Sequence, residues 1–176
     1  MQMSDQREIS ADAATIYAAL LNPEVLRACV PGATEVVGNP EDGYTATVTQ
    51  RVGPVKATFK GQVVMSDMVE NRSLTIAGEG KGGAAGFAKG GAKVTLTPTE
   101  AGTILAYEVE ARVGGKIAQL GSRLIDGFAK KMADQFFNNL KEAIEGPVGD
   151  NPEAQNGAKK ETPAKKSWFK KITGRD

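Results

Sequence analysis

The chain contains no histidine and only one cysteine, Cys29. Without histidine there can be no Ser-His-Asp or Cys-His catalysis, no histidine-ligated metal and no imidazole base working near neutral pH. A single cysteine cannot form an intrachain disulfide, which is typical of proteins from a reducing compartment. We predict no catalytic residue and no metal site, and we expect Cys29 to be a buried small apolar residue because no histidine can activate its thiol.

Long hydrophobic runs are also missing. The first ten residues have no apolar stretch of the kind that a secretory signal peptide carries. No run approaches the roughly 18 apolar residues that indicate a membrane-spanning helix. These absences predict a cytoplasmic protein whose contact with the inner face of the cytoplasmic membrane is peripheral.

Charge is nearly balanced over the whole chain but unevenly distributed along it. Residues 1–146 carry 15 Lys and Arg against 17 Asp and Glu, whereas residues 147–176 carry seven against four. A body of this size buries roughly two-thirds of its unfolded surface and needs no disulfide or metal to fold. We therefore predict a slightly acidic domain over residues 1–146, followed by a basic tail.

The tail divides into a linker and a terminal segment. Residues 147–164 are rich in Asn, Pro, Glu, Ala, Gly and Lys, which predicts a flexible, disordered linker. Residues 165–176 combine aromatic and aliphatic side chains with flanking lysines, a pattern suited to an anionic lipid surface. A protein partner or nucleic acid are the alternatives, and the body offers no basic cluster in its sequence to favour nucleic acid. The predicted membrane-contact residues are Lys165, Lys166, Trp168, Phe169, Lys170, Lys171 and Ile172.

The sequence predicts strands in the middle of the chain and a helix at the end of residues 1–146. Gln2–Ile9 is predicted as a first strand, followed by two short helices that begin after Ser10 and at Pro23. Alternating runs separated by Gly, Pro, Asn and Asp turns then predict an antiparallel sheet. From residue 117 to residue 144 apolar side chains recur every three to four residues, which predicts one amphipathic helix of about seven turns.

Residues 78–91 are rich in glycine and include a G-x-G-x-x-G spacing at Gly78, Gly80 and Gly83. A dinucleotide site needs that spacing between a strand and a helix, whereas the next segment here reads as strand. We therefore predict a mobile loop. Phe87 within it is either a lid over an internal space or a simple packing contact.

A curved sheet with one apolar face can bury that face only against the long helix, and a space between the two would suit an apolar ligand. The sheet and helix positions that point inward are equally suited to an ordinary core. The candidate ligand-cavity residues are Tyr44, Val48, Phe59, Val63, Leu74, Ile76, Phe87, Val94, Leu96, Leu105, Tyr107, Val109, Leu124, Phe128, Met132 and Phe136.

Several short motifs carry a family resemblance over residues 1–146. They are Leu21-Asn22-Pro23, Cys29-Val30-Pro31-Gly32-Ala33, Val52-Gly53-Pro54-Val55, Phe59-Lys60-Gly61, the glycine-rich segment and the apolar helix around residues 128–136. With the order of elements, they resemble the family of the CoxG subunit of carbon monoxide dehydrogenase, within the START and birch-pollen-allergen superfamily. The resemblance implies an α+β helix-grip fold, a curved antiparallel sheet around a long C-terminal helix. It also implies a molybdenum-containing carbon monoxide dehydrogenase, or a related hydroxylase, as partner.

These expectations favour a non-catalytic carrier of a lipid-soluble molecule. Its cavity would hold an isoprenoid quinone, such as menaquinone, or another apolar lipid without covalent attachment, and its tail would visit the membrane that stores it. The first alternative is an adaptor that recruits the enzyme to the membrane and carries no ligand. Further alternatives are an assembly factor for the enzyme's metal cofactor and a small-molecule enzyme such as a cyclase.

Overall fold

The computed structural model describes residues 1–146 and confirms the predicted antiparallel sheet with a long C-terminal helix. Its elements are β1 (Gln2–Ile9), α1 (Ala13–Leu21), α2 (Pro23–Cys29), β2 (Ala33–Asn39), β3 (Gly43–Val52), β4 (Val55–Val69), β5 (Ser73–Lys81), β6 (Phe87–Pro98), β7 (Thr103–Gly114) and α3 (Ser122–Glu145). Two short 3-10 turns, Gly83–Ala85 and Ile117–Leu120, join β5 to β6 and β7 to α3.

The seven strands form one sheet in the order β1-β7-β6-β5-β4-β3-β2. From β2 to β7 each strand pairs with the next in the chain, and β1 pairs antiparallel with β7. The two edge strands, β1 and β2, are connected by α1 and α2. In β2 the register shifts between Ala33 and Glu35, which marks a bulge in that edge. The sheet is therefore a meander whose first strand has been added beside its last.

The glycine-rich segment belongs to the sheet, so the prediction of a mobile loop was wrong. β5 continues to Lys81, β6 begins at Phe87, and only the turn Gly83–Ala85 separates the two strands. No α-helix follows this turn, as the strand–loop–helix unit of a dinucleotide site would require. The segment is a β-hairpin, and the nucleotide interpretation of its glycine spacing has no structural basis.

Glycine is needed in this hairpin because neighbouring backbones come close together. Gly61 pairs with Gly80, and Gly78 pairs with Gly90 on the next strand. A Cβ atom at Gly90 would overlap the carbonyl oxygen of Glu110 on β7. The glycine-rich composition of residues 78–91 therefore reflects close packing of strands and not a loop. A single sequence does not distinguish the two, because glycine is common in both.

The first helix begins at Ala13, two residues later than the sequence predicted. The Asp12 carboxylate, not the Ser10 hydroxyl, caps α1 by accepting a hydrogen bond from the Thr15 N–H at 2.8 Å. Hydrogen bonds from the Thr15 side chain and from the Thr15 N–H hold the pKa of Asp12 below its usual range. The Ser10 N–H instead donates to the Glu145 carboxylate at 2.7 Å, so the end of α3 is fastened to the start of α1.

The second helix follows the sequence prediction closely. Pro23 occupies its first turn, where the missing N–H costs no intrahelical bond. The side-chain oxygen of Asn22 accepts hydrogen bonds from the N–H groups of Glu24 and Val25 at 2.9 and 3.4 Å. The Asn22-Pro23 pair therefore ends one helix and begins the next.

The C-terminal helix is shorter than the apolar periodicity predicted. Ile117–Leu120 form a 3-10 turn, Gly121 has a φ of 93°, and α3 begins only at Ser122. An α-helix cannot continue through a residue with positive φ. Ile117 and Leu120 keep the spacing of the stripe but lie outside the helix, and α3 spans 24 residues.

The C-terminal half of α3 is packed firmly against the rest of the domain. Phe137 and Leu140 are buried, and the Phe137 ring stacks on Tyr107 of β7 with centroids 4.7 Å apart. The Asn139 amide donates to the carbonyl oxygen of Cys29 at 3.0 Å. Sheet, helix pair and α3 therefore meet around these side chains.

An ion pair between β1 and α3 lies beside this packing. The Arg7 guanidinium pairs with the Asp134 carboxylate and also lies over the Phe137 ring, 5.5 Å from its centroid. The hydrogen bond from Arg7 holds the pKa of Asp134 below its ordinary value. Lys130, one turn earlier, approaches the same carboxylate at 3.5 Å.

The N-terminal half of α3 has much weaker packing. Leu124 is 41% exposed, and no residue between Ser122 and Phe136 is fully buried. A Cβ atom at Gly121 or Gly127 would find no neighbouring atom within 4 Å. This half of the helix therefore lies beside open space.

Candidate functional site

An apolar cavity of about 840 Å³ lies between the N-terminal half of α3 and the adjoining ends of β1, β6 and β7. Its lining is apolar except for three polar residues. The lining residues are Met1, Met3, Val30, Pro31, Ala88, Val109, Ala111, Arg112, Val113, Ala118, Ser122, Ile125, Asp126, Phe128, Ala129, Met132, Ala133 and Phe136.

Small side chains on both walls keep the cavity hollow. Ala88 and Ala111 contribute to the sheet wall, and Ala129 and Ala133 contribute to the helix wall. Gly90 pairs directly with Ala111, so the sheet wall stays thin on the neighbouring strand. Larger side chains at these positions would fill the space between sheet and helix, as they do around Leu140.

The cavity lies between two separate hydrophobic clusters. The main core borders it through Met3 and Phe136. A smaller group, which we call the satellite cluster, borders it through Phe128. The satellite cluster contains Val52, Val55, Ala57, Phe59, Ala85, Ile117, Leu120 and Phe128. One end of the domain is thus solidly packed, and the other is closed by a small cluster from the β3–β4 and β5–β6 turns and the start of α3.

The structure brings some of the predicted cavity residues together and places the others elsewhere. Val109, Phe128, Met132 and Phe136 border the cavity. Tyr44, Leu74, Val94, Leu96, Leu105 and Tyr107 are buried in the main core, and Val63 and Ile76 pack against it. Phe59 lies in the satellite cluster, Val48 is half-buried, and Leu124 and Phe87 are exposed. As ligand contacts, all of these residues remain predictions.

Sequence reasoning missed the contributions of the first strand and of the turn after α2. Met3 lines the cavity from the edge strand β1, and Val30 and Pro31 line it from the turn that precedes β2. The alternation of Met3 with polar neighbours was the available signal for β1. Ala129 and Ala133 were missed because alanine, unlike Phe128, carries no apolar signal strong enough to mark a lining position.

Cys29 is buried, as the sequence predicted, and the two glutamates of β7 lie away from the cavity. Cys29 is fully buried, and burial raises the pKa of its thiol to about 11. A thiol of such high pKa is almost entirely protonated at neutral pH and is a poor nucleophile. Glu108 and Glu110 are exposed on the face of β7 opposite Val109, away from the cavity.

The polar residues that border the cavity are Arg112, Ser122 and Asp126, and all three are exposed. Ser122 and Asp126 lie at its margin, where they can contact the polar part of a ligand, whereas the Arg112 side chain points away from the cavity with Glu110 on β7. Within residues 1–146, no three His, Cys, Asp or Glu side chains come together in a way that could hold a metal ion. The chemistry available at this site is the binding of an apolar molecule.

Two sequence predictions fall on residues that the structure does not describe. The linker over residues 147–164 and the membrane-contact segment over residues 165–176 lie outside the described residues and stay predictions. Within the described part, no helix combines the length and apolar character needed to cross a membrane.

The curved antiparallel sheet, the long helix against it and the hollow between them define a helix-grip domain with an apolar ligand cavity. The model of the CoxG family, described as the CoxG subunit of carbon monoxide dehydrogenase, matches residues 6–145. The chain belongs to this family, as the sequence motifs indicated. Family and fold together indicate a non-catalytic protein that binds a hydrophobic molecule.

Solved structures from several bacteria share the fold. A conserved protein of Geobacillus kaustophilus is 26% identical, with a TM-score of 0.77 over 82% of this chain and 95% of that one. A START superfamily protein of Mycobacterium smegmatis is 15% identical, with a TM-score of 0.61 over 82% and 97% of the two chains. A protein of Thermus thermophilus is 14% identical, with a TM-score of 0.63 over 82% and 97% of the two chains. A search of curated protein sequences found no match.

Proposed function

We propose that this protein carries an isoprenoid quinone, such as menaquinone, in its cavity and moves it between the membrane and a carbon monoxide dehydrogenase-type molybdenum enzyme. The observation that carries the proposal is the apolar cavity of about 840 Å³ between α3 and the sheet. Its volume lies at the upper end of the range for small-molecule sites. A long apolar ligand needs a site of that size.

The physical need for a carrier comes from the ligand. An isoprenoid chain exposes a large apolar surface, and each square ångström left in water costs about 25 cal/mol. A water-soluble enzyme that delivers electrons to a membrane quinone therefore benefits from a protein that shields the chain. The identity of the enzyme is taken from the family name alone.

The distribution of polar groups suggests how a quinone would be oriented. Among the lining side chains, Ser122 is a hydrogen-bond donor, and it lies at the exposed margin. Quinone carbonyl oxygens accept hydrogen bonds, whereas the isoprenoid chain makes none. The ring would accordingly lie at the margin, and the chain would lie among Met3, Met132 and Phe136.

The first experiment is mass spectrometry of an organic extract of protein purified without detergent from its own host. A quinone present at near one molecule per chain supports the carrier. An extract with no stoichiometric ligand, together with no uptake of added menaquinone, would contradict it. A different lipid at one molecule per chain would retain the carrier and change its cargo.

A cavity-blocking variant tests the site directly. Ala129→Trp places an indole inside the cavity, so we expect it to reduce menaquinone uptake at least tenfold. Ala143→Trp is the matched control, because Ala143 is an exposed position on the same helix and does not line the cavity. The melting temperatures of both variants show whether the fold survives.

The same pair of variants separates the carrier from the adaptor. If the protein only recruits its enzyme to the membrane, Ala129→Trp will leave electron delivery from enzyme to membrane quinone unchanged. If it carries the quinone, Ala129→Trp will stop delivery while Ala143→Trp will not. Deletion of residues 150–176 should release the enzyme from membranes under the adaptor interpretation.

A further inference from the structure

Like charges face one another across three strand pairs at one end of the sheet. Residues directly opposite in antiparallel strands have Cβ atoms about 5 Å apart, and like charges there are destabilising. The pairs are Arg51 with Lys56, Lys60 with Lys81, and Lys89 with Arg112. Each of these like-charge pairs is expected to lower the stability of the folded domain. Because three of them lie at the same end of the sheet, the positive charge there indicates a function.

These six side chains, with Lys116 and Arg123 beyond the ends of β7 and the 3-10 turn, form what we call the basic end. All eight are exposed. None takes part in an ion pair with another described residue, because the ion pairs found in residues 1–146 involve only Arg7, Lys130, Asp5 and Asp134. Glu79, opposite Lys89, is the acidic neighbour in register.

The other end of the sheet has the opposite charge. The turns that connect β2 to β3, β4 to β5 and β6 to β7 carry four acids, Glu41, Asp42, Glu70 and Glu100, against one cation, Arg72, and all five are exposed. The nearly neutral composition of the domain therefore conceals a separation of charge along the strands. The sequence of the body has no local basic cluster because these side chains come together only through strand register.

Two exposed apolar side chains lie at the basic end. Phe87 is 42% exposed, sits opposite Lys81, and lies where a Cβ atom at Gly114 would overlap its ring. Leu124 is 41% exposed in the first turn of α3, next to Arg123. Exposed apolar groups surrounded by cations are typical of surfaces that enter the headgroup region of a bilayer.

The basic end also adjoins the cavity. Side chains alternate along a strand, so Phe87 and Ala88 point to opposite sides of β6. Ala88 lines the cavity, and so does Val113, its partner on β7. The strand ends that present the cations outward are thus the ones that form the cavity wall inside.

We propose that the basic end of residues 1–146 is a docking surface for an anionic lipid bilayer. Each basic residue close to such a surface raises the affinity by about fivefold. The acidic turns at the far end are repelled, so the bilayer orients the domain with its cavity next to the lipid. The use of this contact rests on the proposed function, because an apolar cargo passes most easily from the cavity into the apolar interior of a bilayer. The contact itself is independent of any cargo.

The test uses the full chain and vesicles of phosphatidylglycerol mixed with phosphatidylcholine, with no quinone added. We expect Lys60→Ala combined with Lys81→Ala to weaken sedimentation with these vesicles about 25-fold. The control combines Arg72→Ala with Lys93→Ala, which removes two exposed positive charges outside the basic end, one in the β4–β5 turn and one on β6. We expect the control to stay within about twofold of the unchanged protein.

A second pair of variants tests the apolar part of the contact. Phe87→Ser should weaken vesicle binding several-fold, and the loss should persist in high salt, where the contribution of the lysines is screened. Val37→Ser is the control, because Val37 is similarly exposed at 49% on the edge strand β2. The tail is identical in all of these proteins, so differences between them report on the body.

Equal vesicle affinities for the Lys60/Lys81 variant and its charge control would overturn the proposal and leave the basic end to an acidic protein partner. Equally tight binding of the unchanged protein to vesicles of pure phosphatidylcholine would also overturn it, because such vesicles carry no net charge. Failure of the proposed function gives a different result, namely normal anionic-vesicle binding by a protein that takes up no quinone. The two ideas can therefore fail separately.

Discussion

The two halves of α3 differ in how they are held. The C-terminal half buries Phe137 and Leu140, and Asn139 is hydrogen-bonded to the carbonyl of Cys29. The N-terminal half faces the cavity, contains no fully buried residue, and has open space at Gly127. One amphipathic stripe thus serves two purposes. In the C-terminal half, large side chains of the helix pack against large side chains of the sheet and form core. In the N-terminal half, alanines of the helix face alanines of the sheet and leave the cavity.

Shortening one apolar side chain in each half of α3 should give the largest difference in the free energy of unfolding between the two halves. Leu140→Ala removes a fully buried side chain, so we expect the free energy of unfolding to fall by about 2–5 kcal/mol. Ile125→Ala removes a half-buried side chain that already borders a cavity, so we expect a loss of about 1 kcal/mol or less. Urea denaturation of both variants measures the difference. Equal losses would mean that the N-terminal half is packed as tightly as the other.

Two glycines of the open half should respond to alanine with opposite signs. Gly127→Ala lies inside the helix with free space around it and should stabilise the protein by about 0.5–1 kcal/mol. Gly121→Ala meets no atom either, but its φ of 93° is strained for any residue with a Cβ atom, so it should destabilise by about 1–2 kcal/mol. Thermal denaturation compares them. A stabilising Gly121→Ala would show that the break before α3 is not fixed.

The ion pair of the anchored half should make stability depend on acid. The pKa of Asp134 is lowered by Arg7, so the pair adds stability above the ordinary Asp pKa of about 3.9, and this is lost as the pH falls through the lower value in the folded state. Asp134→Asn should therefore flatten the decline of unfolding free energy below about pH 4. Asp126→Asn, a change on the open half of the same helix, is the control and should keep the wild-type slope.

Much of the fold could be predicted from the sequence because alternation and helical spacing are local signals. The prediction placed Gln2–Ile9 and the Asn22-Pro23 helix break correctly. It failed where local composition has two physical meanings. Glycine at Gly78 and Gly90 permits close strand pairing as well as flexibility, and only the partner strand distinguishes the two.

The site was harder to predict than the fold. Periodicity indicates which side of a strand faces inward but not how far the opposing wall is, so Leu105 and Val109 look alike although one is core and the other borders the cavity. The basic end could not be predicted from the sequence for a similar reason. Lys60 and Lys81 are 21 positions apart in the chain and become neighbours only through strand register.

The bulge in β2 has a consequence for contacts between copies of this protein. An open sheet offers two edges to which strands of other copies could add, and crowding on a surface favours such additions. The shift between Ala33 and Glu35 interrupts the hydrogen-bonding pattern of one edge. The other edge, β1, carries the charged residues Asp5, Arg7 and Glu8. Both edges therefore discourage the addition of strands from other copies, which would otherwise lead to fibrillar aggregates.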